Sequence, residues 1–215
     1  MKQILIVGAG RFGSSIAYNL NKMGHEVMVV DQSEDIINEL SDASIYSMQG
    51  NATSESTIKA IGVSNFDTCV IAISDIQTSI LIGILLKEAG AKQIVAKAQN
   101  DLHARVLYRI GIDKVVFPER DMGVKVAQSL VSQNIMDYIE LSPNISIVEV
   151  IAIDEWVGKT LVELNMRAQY GLNVIAIKNG EEINISPLAD AKIKKTDILF
   201  VLGSKKDLNK INKKL

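Results

Sequence analysis

An α/β fold is predicted, a doubly wound parallel sheet followed by a small α+β module. Three observations predict it. The first 140 residues alternate short β-branched runs with helical patterns, the sequence signature of βαβ units on a parallel sheet. A glycine loop, Gly8-Ala9-Gly10-Arg11-Phe12-Gly13, follows the first apolar run directly and opens a helical stretch. After the loop signal Ser142-Pro143-Asn144 the pattern changes to short strands joined by a hairpin-like turn.

Taken in order, the strands are Gln3–Val7, Glu26–Val30, Ile45–Met48, Thr68–Ile73, Gln93–Ala96 and Lys114–Phe117. They are nearly unbroken apolar runs, as strands covered by helices on both faces require. Helical patterns at Phe12–Met23, Glu34–Leu40, Ser56–Ile61, Ile76–Ala89 and Asp101–Ile110 separate them, which makes a compact Rossmann-type domain over residues 1–118. A further helix at Arg120–Gln133 puts Val124, Ala127, Leu130 and Val131 on one stripe, and the stripe continues through Ile135, Met136 and Ile139. It is either a last Rossmann helix or a crossover element packing against a second subunit, and residues 119–141 are set apart as a helical crossover segment.

Residues 142–215 form the second module. It reads as strand Ser146–Ile153, helix Lys159–Leu164, strands Asn173–Ile177, Glu182–Ile185 and Asp197–Leu202, and terminal helix Lys205–Lys213, with Lys178-Asn179-Gly180-Glu181 as the turn of a hairpin. A core of roughly 70 residues is marginal alone, so pairing with a copy of itself is expected.

Composition narrows the function. The chain has 215 residues, 47% apolar and 22% charged, as folded chains do. A net charge of −2 and 5% aromatics offer nucleic acid neither attraction nor stacking platforms. Residues 1–140 hold 12 Lys/Arg against 16 Asp/Glu, and 141–215 hold 11 against 9, a shift that falls where the element pattern changes. One cysteine, Cys69, excludes an internal disulfide and a cysteine-rich zinc site, and two histidines, His25 and His103, leave little for histidine-based metal chemistry. The sequence shows no secretory signal, and its longest apolar run, Ile80–Leu86, falls far short of the roughly 20 residues of a membrane span. A cytoplasmic location is expected.

The chemistry concentrates at the glycine loop. The first glycine permits the tight turn, the second lets backbone approach a pyrophosphate, and the third allows close helix–strand packing, with phosphate on the helix N-terminus. Asp31, 18 residues beyond Gly13, closes the second strand at the spacing expected of a ribose-binding acid. A carboxylate there accepts from a ribose diol and repels a 2′-phosphate, so NADP is disfavoured and NAD(H), ATP, ADP and AMP stay open. Arg11 adds positive charge beside the phosphates, reaches a neighbouring subunit's ligand, or is an exposed helix-start arginine. Further contacts are expected where strands end: Gly50-Asn51-Ala52-Thr53, Ile73-Ser74-Asp75 and Lys97-Ala98-Gln99. No Ser-His-Asp or Cys-His set, HExxH or GKS/T loop occurs, and the second module has no histidine to serve hydride transfer. A non-enzymatic role is expected. The alternative is an NAD-dependent oxidoreductase with a small second domain; a redox-sensing repressor would need a helix-turn-helix, which the pattern does not supply.

GAGRFG, Asp31, GNATSES, VIAISDIQTSILIGILLKE, VAKAQND and FPERDMGVKVAQSL together resemble the RCK proteins, regulators of potassium conductance, and most nearly the cytoplasmic regulatory subunits of Ktr/Trk-type potassium transporters. GKTLVELNMRAQYGLNVIAIKNGEEINISPLAD resembles the C-terminal (TrkA-C) module of the same proteins. Asn51 departs from the aspartate of many members. The resemblance implies a homodimer assembling into an octameric ring beneath a membrane-embedded potassium-transporting subunit. It assigns ATP or ADP, with NAD(H) as the alternative, to Gly8, Gly10, Arg11, Phe12, Gly13, Asp31, Gln32, Asn51, Ala52, Thr53, Ile73, Ser74, Lys97 and Glu119. Glu119 would hold a cation such as Mg2+ or Na+ against the phosphates. Cyclic di-AMP is assigned to Leu161, Val162, Arg167, Ala168, Asn173 and Pro187, although the residues alone make Leu161 and Val162 core and Arg167 a surface charge. The resemblance gives the Arg120–Gln133 helix to the intersubunit crossover, and Ile80–Leu86 either to ring contacts or to the Rossmann core. The lysine-rich terminal helix (Lys205, Lys206, Lys210, Lys213, Lys214) reads as a solvated amphipathic helix, or one meeting anionic lipid head groups.

Overall fold

The computed structural model describes residues 1–131, 135–142 and 144–212, and the chain divides into two compact units, Met1–Glu119 and Arg120–Leu215. The predicted elements at Gln133, Pro143, Lys213, Lys214 and Leu215 lie outside the described residues.

The first unit is built on six strands: β1 (Gln3–Val7), β2 (Glu26–Asp31), β3 (Tyr46–Gln49), β4 (Thr68–Ile71), β5 (Ile94–Lys97) and β6 (Lys114–Val116). All pair in parallel, in the order β3-β2-β1-β4-β5-β6. Register follows the period of two. Leu5 lies beside Met28 and Cys69, and Cys69 beside Ile94, on one face. Ile4, Ile6, Val27, Val29 and Val70 fill the other. Both faces are thus apolar, which is why the strands read as unbroken hydrophobic runs. Cys69 belongs to this core; burial pushes its thiol up to about 12, so it packs as a small hydrophobe rather than acting as a nucleophile.

The connecting helices are α1 (Arg11–Lys22), α2 (Glu34–Asp42), α3 (Glu55–Ile61), α4 (Ile76–Glu88) and α5 (Asp101–Arg109), with a 3-10 turn at Val63–Asn65. Asp75 caps α4 by accepting from the Thr78 amide, and Asn100 caps α5 by accepting from the His103 amide. Because the order reverses between β1 and β4, successive crossovers leave in opposite directions and open a crevice beyond the C-terminal ends of these two strands.

α6 (Pro118–Val131) opens at the end of the first unit, and its apolar side chains Met122, Val124, Val126 and Leu130 are exposed. The second unit holds β7 (Ile135–Ser142), β8 (Ile145–Ile151), α7 (Leu161–Leu164), α8 (Met166–Tyr170), β9 (Asn173–Asn179), β10 (Glu182–Asn184), β11 (Asp197–Ser204) and α9 (Lys205–Asn212). Its sheet is antiparallel, in the order β10-β9-β11-β8-β7. Trp156 is fully buried at the centre of its core and meets Tyr170 edge-on, with ring centroids 5.8 Å apart. The expected hairpin forms between β9 and β10, with Gly180 at φ +59° in the turn.

Two expectations are corrected. The apolar stripe does not continue as helix through Ile135, Met136 and Ile139; these residues lie in β7, paired antiparallel with β8 from Ile135↔Val150 to Ser142↔Ile145. The spacing of the three side chains suits either element over so short a run, and pairing with β8 decides it. The second short helix, α8, was not foreseen. It is separated from α7 by Asn165, which sits in the left-handed region at φ +39° and interrupts what would otherwise be one helix.

Candidate functional site

The glycine loop occupies the turn from β1 into α1. Gly8 has φ +94°, a backbone conformation that calls for glycine, and a Cβ there would stand 2.6 Å from Cδ1 of Ile73, whose side chain would have to shift. A Cβ on Gly13 would stand 1.9 Å from the carbonyl oxygen of Gly8, so the helix packs against the loop only if that position is bare. Gly10 is different. Its φ of −62° and ψ of −178° suit any residue, and a Cβ there meets no protein atom within 4 Å. Neither backbone strain nor internal packing requires the second glycine.

Asp31 ends β2 beside this loop. Its Oδ2 accepts from the Ala9 amide at 2.6 Å, and its Oδ1 accepts from the Ser33 amide at 2.9 Å. The carboxylate is therefore oriented by backbone donors on both sides and needs no rearrangement to keep its place at the crevice. Gln32 donates to Oδ1 of Asn51 at 3.1 Å, and the same oxygen accepts from the amide and hydroxyl of Thr53. Asn51 thus serves as the organiser of the loop after β3, a role its amide fills as an acceptor.

Between these loops lies a cleft of about 180 Å³ lined by Val7, Gly8, Val30, Asp31, Gln32, Gly50, Ala52, Ile73, Thr78 and Ile82. Its walls are apolar and its rim carries one carboxylate, a lining suited to the base and ribose of a nucleotide. A larger cleft, about 350 Å³, opens at the N-terminal ends of β1, β2 and β3 among Gln3, Glu26, Met28, Tyr46 and Phe66. Size does not decide between them: the larger one has no glycine loop and no helix N-terminus, and ligands of open parallel sheets sit at the other end of the strands.

The neighbouring loops are tied by a polar cluster. Lys97, at the end of β5, is 7% exposed; its Nζ donates to Oε1 of Glu119 at 2.5 Å and to the Ser74 hydroxyl at 3.3 Å. Gln99 donates from its side-chain amide to the Ser74 carbonyl at 2.6 Å. The hydrogen bond from Lys97 is the main cause holding the Glu119 carboxyl below its ordinary range, and the charge of Arg11 adds to it. Arg11 itself is exposed, and Phe12 is half-buried against the α1 side of the sheet.

The structure therefore gathers Gly8, Asp31, Gln32, Ala52 and Ile73 around one cleft, and links Ser74, Lys97 and Glu119 in a second cluster carrying the field of Arg11. Among the described residues no group of three or more His, Cys, Asp or Glu is placed to hold a metal ion, so Glu119 offers a single carboxylate already paired with Lys97. Sequence reasoning missed Val30, Thr78 and Ile82 as lining residues. The signal for Thr78 was available in the Asp75 cap three residues earlier, which fixes the first turn of α4 over the cleft.

In the second unit, Nε of Arg167 donates to Oδ1 of Asn173 at 2.9 Å, joining α8 to the start of β9. The amides of Leu161 and Val162 donate to the carbonyls of Ala191 and Ala189, which holds the start of α7 against the loop carrying Pro187. A capping box between Thr160 and Glu163 fixes the entry into α7. Leu161 is half-buried and packs against the core of the second unit as read, whereas the reading of Val162 as core is corrected, since it is 63% exposed. The helix is only one turn long, so Leu164 reaches the core while Val162 points away from it. Arg167, Ala168 and Asn173 are exposed beside it, with Ile175, Ile183, Ile185 and Leu188 adding further exposed apolar surface.

No helix among the described residues is long and apolar enough to cross a membrane. The TrkA-N domain family model matches residues 4–118, and the TrkA-C domain family model matches residues 145–215. The chain is 45% identical over 215 residues to the Ktr system potassium uptake protein C of Bacillus subtilis (strain 168), covering 100% of this chain and 97% of that one. It superposes on the crystal structure of the GsuK RCK domain with a TM-score of 0.68 at 19% identity, over 99% of this chain and 47% of that one, so it spans about half of that solved chain. It is also similar, at 26% identity and a TM-score of 0.54, to the Shewanella denitrificans Kef C-terminal domain in its AMP-bound form, over 60% of this chain and 81% of that one. Two domain models in this order and a relative matched along its whole length place the chain in the RCK family, with the Ktr system potassium uptake proteins.

Proposed function

We propose that the chain is a cytoplasmic, non-enzymatic gating subunit that regulates a membrane-embedded potassium-transporting subunit of the Ktr/Trk type. It binds ATP or ADP at the glycine loop and cyclic di-AMP on the second unit. The observation that carries the first site is Gly10: glycine stands where neither φ nor packing requires it, at the start of a helix whose free amides suit a phosphate. Asp31, held by the Ala9 and Ser33 amides, takes the ribose hydroxyls, and the apolar walls at Val30, Ala52 and Ile82 take the base.

ATP and ADP share the ribose and inner phosphates, so a switch between them needs a group that meets the γ-phosphate. Arg11 is the cation in the loop itself, and its charge already reaches Glu119. A ligand shifts an equilibrium only by its differential affinity for two states, and an arginine spanning two subunits of a dimer, within an octameric ring, meets that condition. A cation such as Mg2+ or Na+ between Glu119 and the phosphates relieves their repulsion once Lys97 yields the carboxylate. The exposed apolar side chains of α6 suit the crossover segment, residues 119–141, through which two copies pair. On residues 142–215, Arg167 and Asn173 supply the polar contacts of the cyclic dinucleotide, Ala168 leaves room beside them, and Leu161, Val162 and Pro187 cover the bases.

The deciding measurement is mass-resolved identification of the nucleotide retained by the purified full-length chain, followed by calorimetry with ATP, ADP, NAD and cyclic di-AMP. Retained adenine nucleotide and a separate cyclic di-AMP isotherm support the proposal. Sustained, substrate-dependent reduction of NAD would replace it with the oxidoreductase reading.

A further inference from the structure

His103 is 2% exposed, in the first turn of α5. Its ring lies between two elements. Nδ1 is 3.3 Å from the backbone nitrogen of Gln99, and Nε2 is 2.7 Å from the hydroxyl of Ser79 on α4. These contacts fix the chemistry of the ring. A backbone N–H only donates, so Nδ1 must be the bare nitrogen, and Nε2 must then carry the proton and donate to Ser79. Ser79, itself fully buried, passes its own hydroxyl hydrogen to the Ile76 carbonyl at 3.2 Å. Every group in the chain Gln99 N–H, His103, Ser79, Ile76 C=O is satisfied in one way, and that way requires a neutral imidazole.

The strut ends at the candidate site. Gln99, whose amide it holds, donates from its side chain to the Ser74 carbonyl. The same loop sets Ile73 against Gly8, and Ser79 is adjacent to Thr78, which lines the cleft with Ile73. We infer that His103 is a positioning residue of the nucleotide site, a neutral imidazole strut that holds the loops after β4 and β5 in register, and that its protonation releases them and weakens nucleotide binding in acid. This rests on the nucleotide reading proposed above.

The sign follows from the groups around the ring. Burial is the main effect, and it lowers the imidazole from its ordinary value of 6.5; the charge of Asp75, at the cap of α4, opposes it. Of the charged residues near the ring in sequence, Lys97 is paired with Glu119, and Asp101 and Arg105 lie on α5 with the histidine. Protonation puts an N–H against the Gln99 N–H, so the strut is intact above the ordinary imidazole range and lost as pH falls through the lowered value.

Two measurements on the full chain test this. In nitrogen-15 spectra of histidine-labelled protein at neutral pH, His103 must show a bare Nδ1 and a protonated Nε2. ADP affinity is then measured from about pH 7.5 downward until the nitrogen-15 shifts of His103 report that the ring has taken its proton. In the parent, affinity is expected to fall by up to about tenfold per pH unit once the ring takes its proton. His103→Gln, whose side-chain oxygen can accept from Gln99 and whose nitrogen can donate to Ser79, should keep the neutral-pH affinity and lose the acid dependence. Ser79→Ala, which removes the partner of Nε2, should weaken ADP at neutral and acid pH while circular dichroism shows the fold retained. The opposite tautomer, or a parent profile as flat as that of His103→Gln, overturns the positioning role and leaves the nucleotide reading standing. A parent that binds none of ATP, ADP or NAD at any pH in this range overturns the nucleotide reading and the strut's purpose with it.

Discussion

Replacing Gly10 and Gly13 separately by alanine should split binding from folding. At Gly13 the added Cβ would lie 1.9 Å from the Gly8 carbonyl oxygen, an overlap with backbone that no side-chain rotation relieves. Either α1 or the loop must move, at a cost of about 3 kcal/mol or more, the upper end of what overpacking inflicts. At Gly10 the backbone already has φ −62°, and the Cβ meets nothing. Alanine is a poorer N-cap than glycine by about 0.5–1 kcal/mol, and the lost chain entropy of the unfolded state returns about 0.4–1 kcal/mol. Net stability should change by less than about 1 kcal/mol, because the two terms oppose each other.

Nucleotide affinity should respond in the reverse sense. A methyl group on the face of the loop where a pyrophosphate approaches removes at least one charge-assisted hydrogen bond, about 1.5–3 kcal/mol, which is roughly a 10- to 150-fold rise in Kd. Thermal melts of the two variants give the stability terms, and calorimetry with ADP gives the binding term. If Gly10→Ala folds normally and binds ADP as tightly as the parent, the second glycine has no ligand to accommodate. No phosphate then sits at this loop.

Arg167→Ala should weaken cyclic di-AMP by about 1–3 kcal/mol through loss of a charged hydrogen-bond partner; unchanged affinity by calorimetry refutes that assignment. Arg11→Ala should keep ADP but lose the ATP-specific shape, and Glu119→Gln should lose any divalent-ion dependence. X-ray scattering of ATP- and ADP-loaded protein checks both, and full switching in Arg11→Ala rules out the γ-phosphate sensor. Trp156→Phe should change stability by no more than about 1–1.5 kcal/mol, as near-matched apolar swaps do. The indole Nε1 is buried without an acceptor among the described residues, so the variant discards a desolvated donor while it loses packing volume. A loss in thermal melts approaching the 3–5 kcal/mol typical of truncating a buried aromatic to alanine would mean that the N–H has a partner.

The candidate cleft was legible from the sequence where its parts are local, and it became obscure where they are not. GAGRFG and Asp31 sit within one β-turn-α-β stretch, so spacing alone placed them, and the parallel register of β1 with β2 brings Asp31 within 2.6 Å of the Ala9 amide. Lys97 and Glu119 lie 22 residues apart, and Ser79 and His103 lie 24 apart. No period or motif joins such pairs; they meet because β4, β5 and β6 are neighbours in the sheet, which carries α4, α5 and the start of α6 to one end of it. The misreading of Ile135, Met136 and Ile139 has the same origin, since pairing with β8 is a tertiary fact. Val162 shows the limit from the other side. Its hydrophobicity argued for burial, yet a one-turn helix has no second turn on which to continue a buried stripe, and the side chain is left on the surface beside Arg167. The simple burial rule therefore fails at Val162 for a geometric reason, the shortness of α7, and not through a flaw in the core.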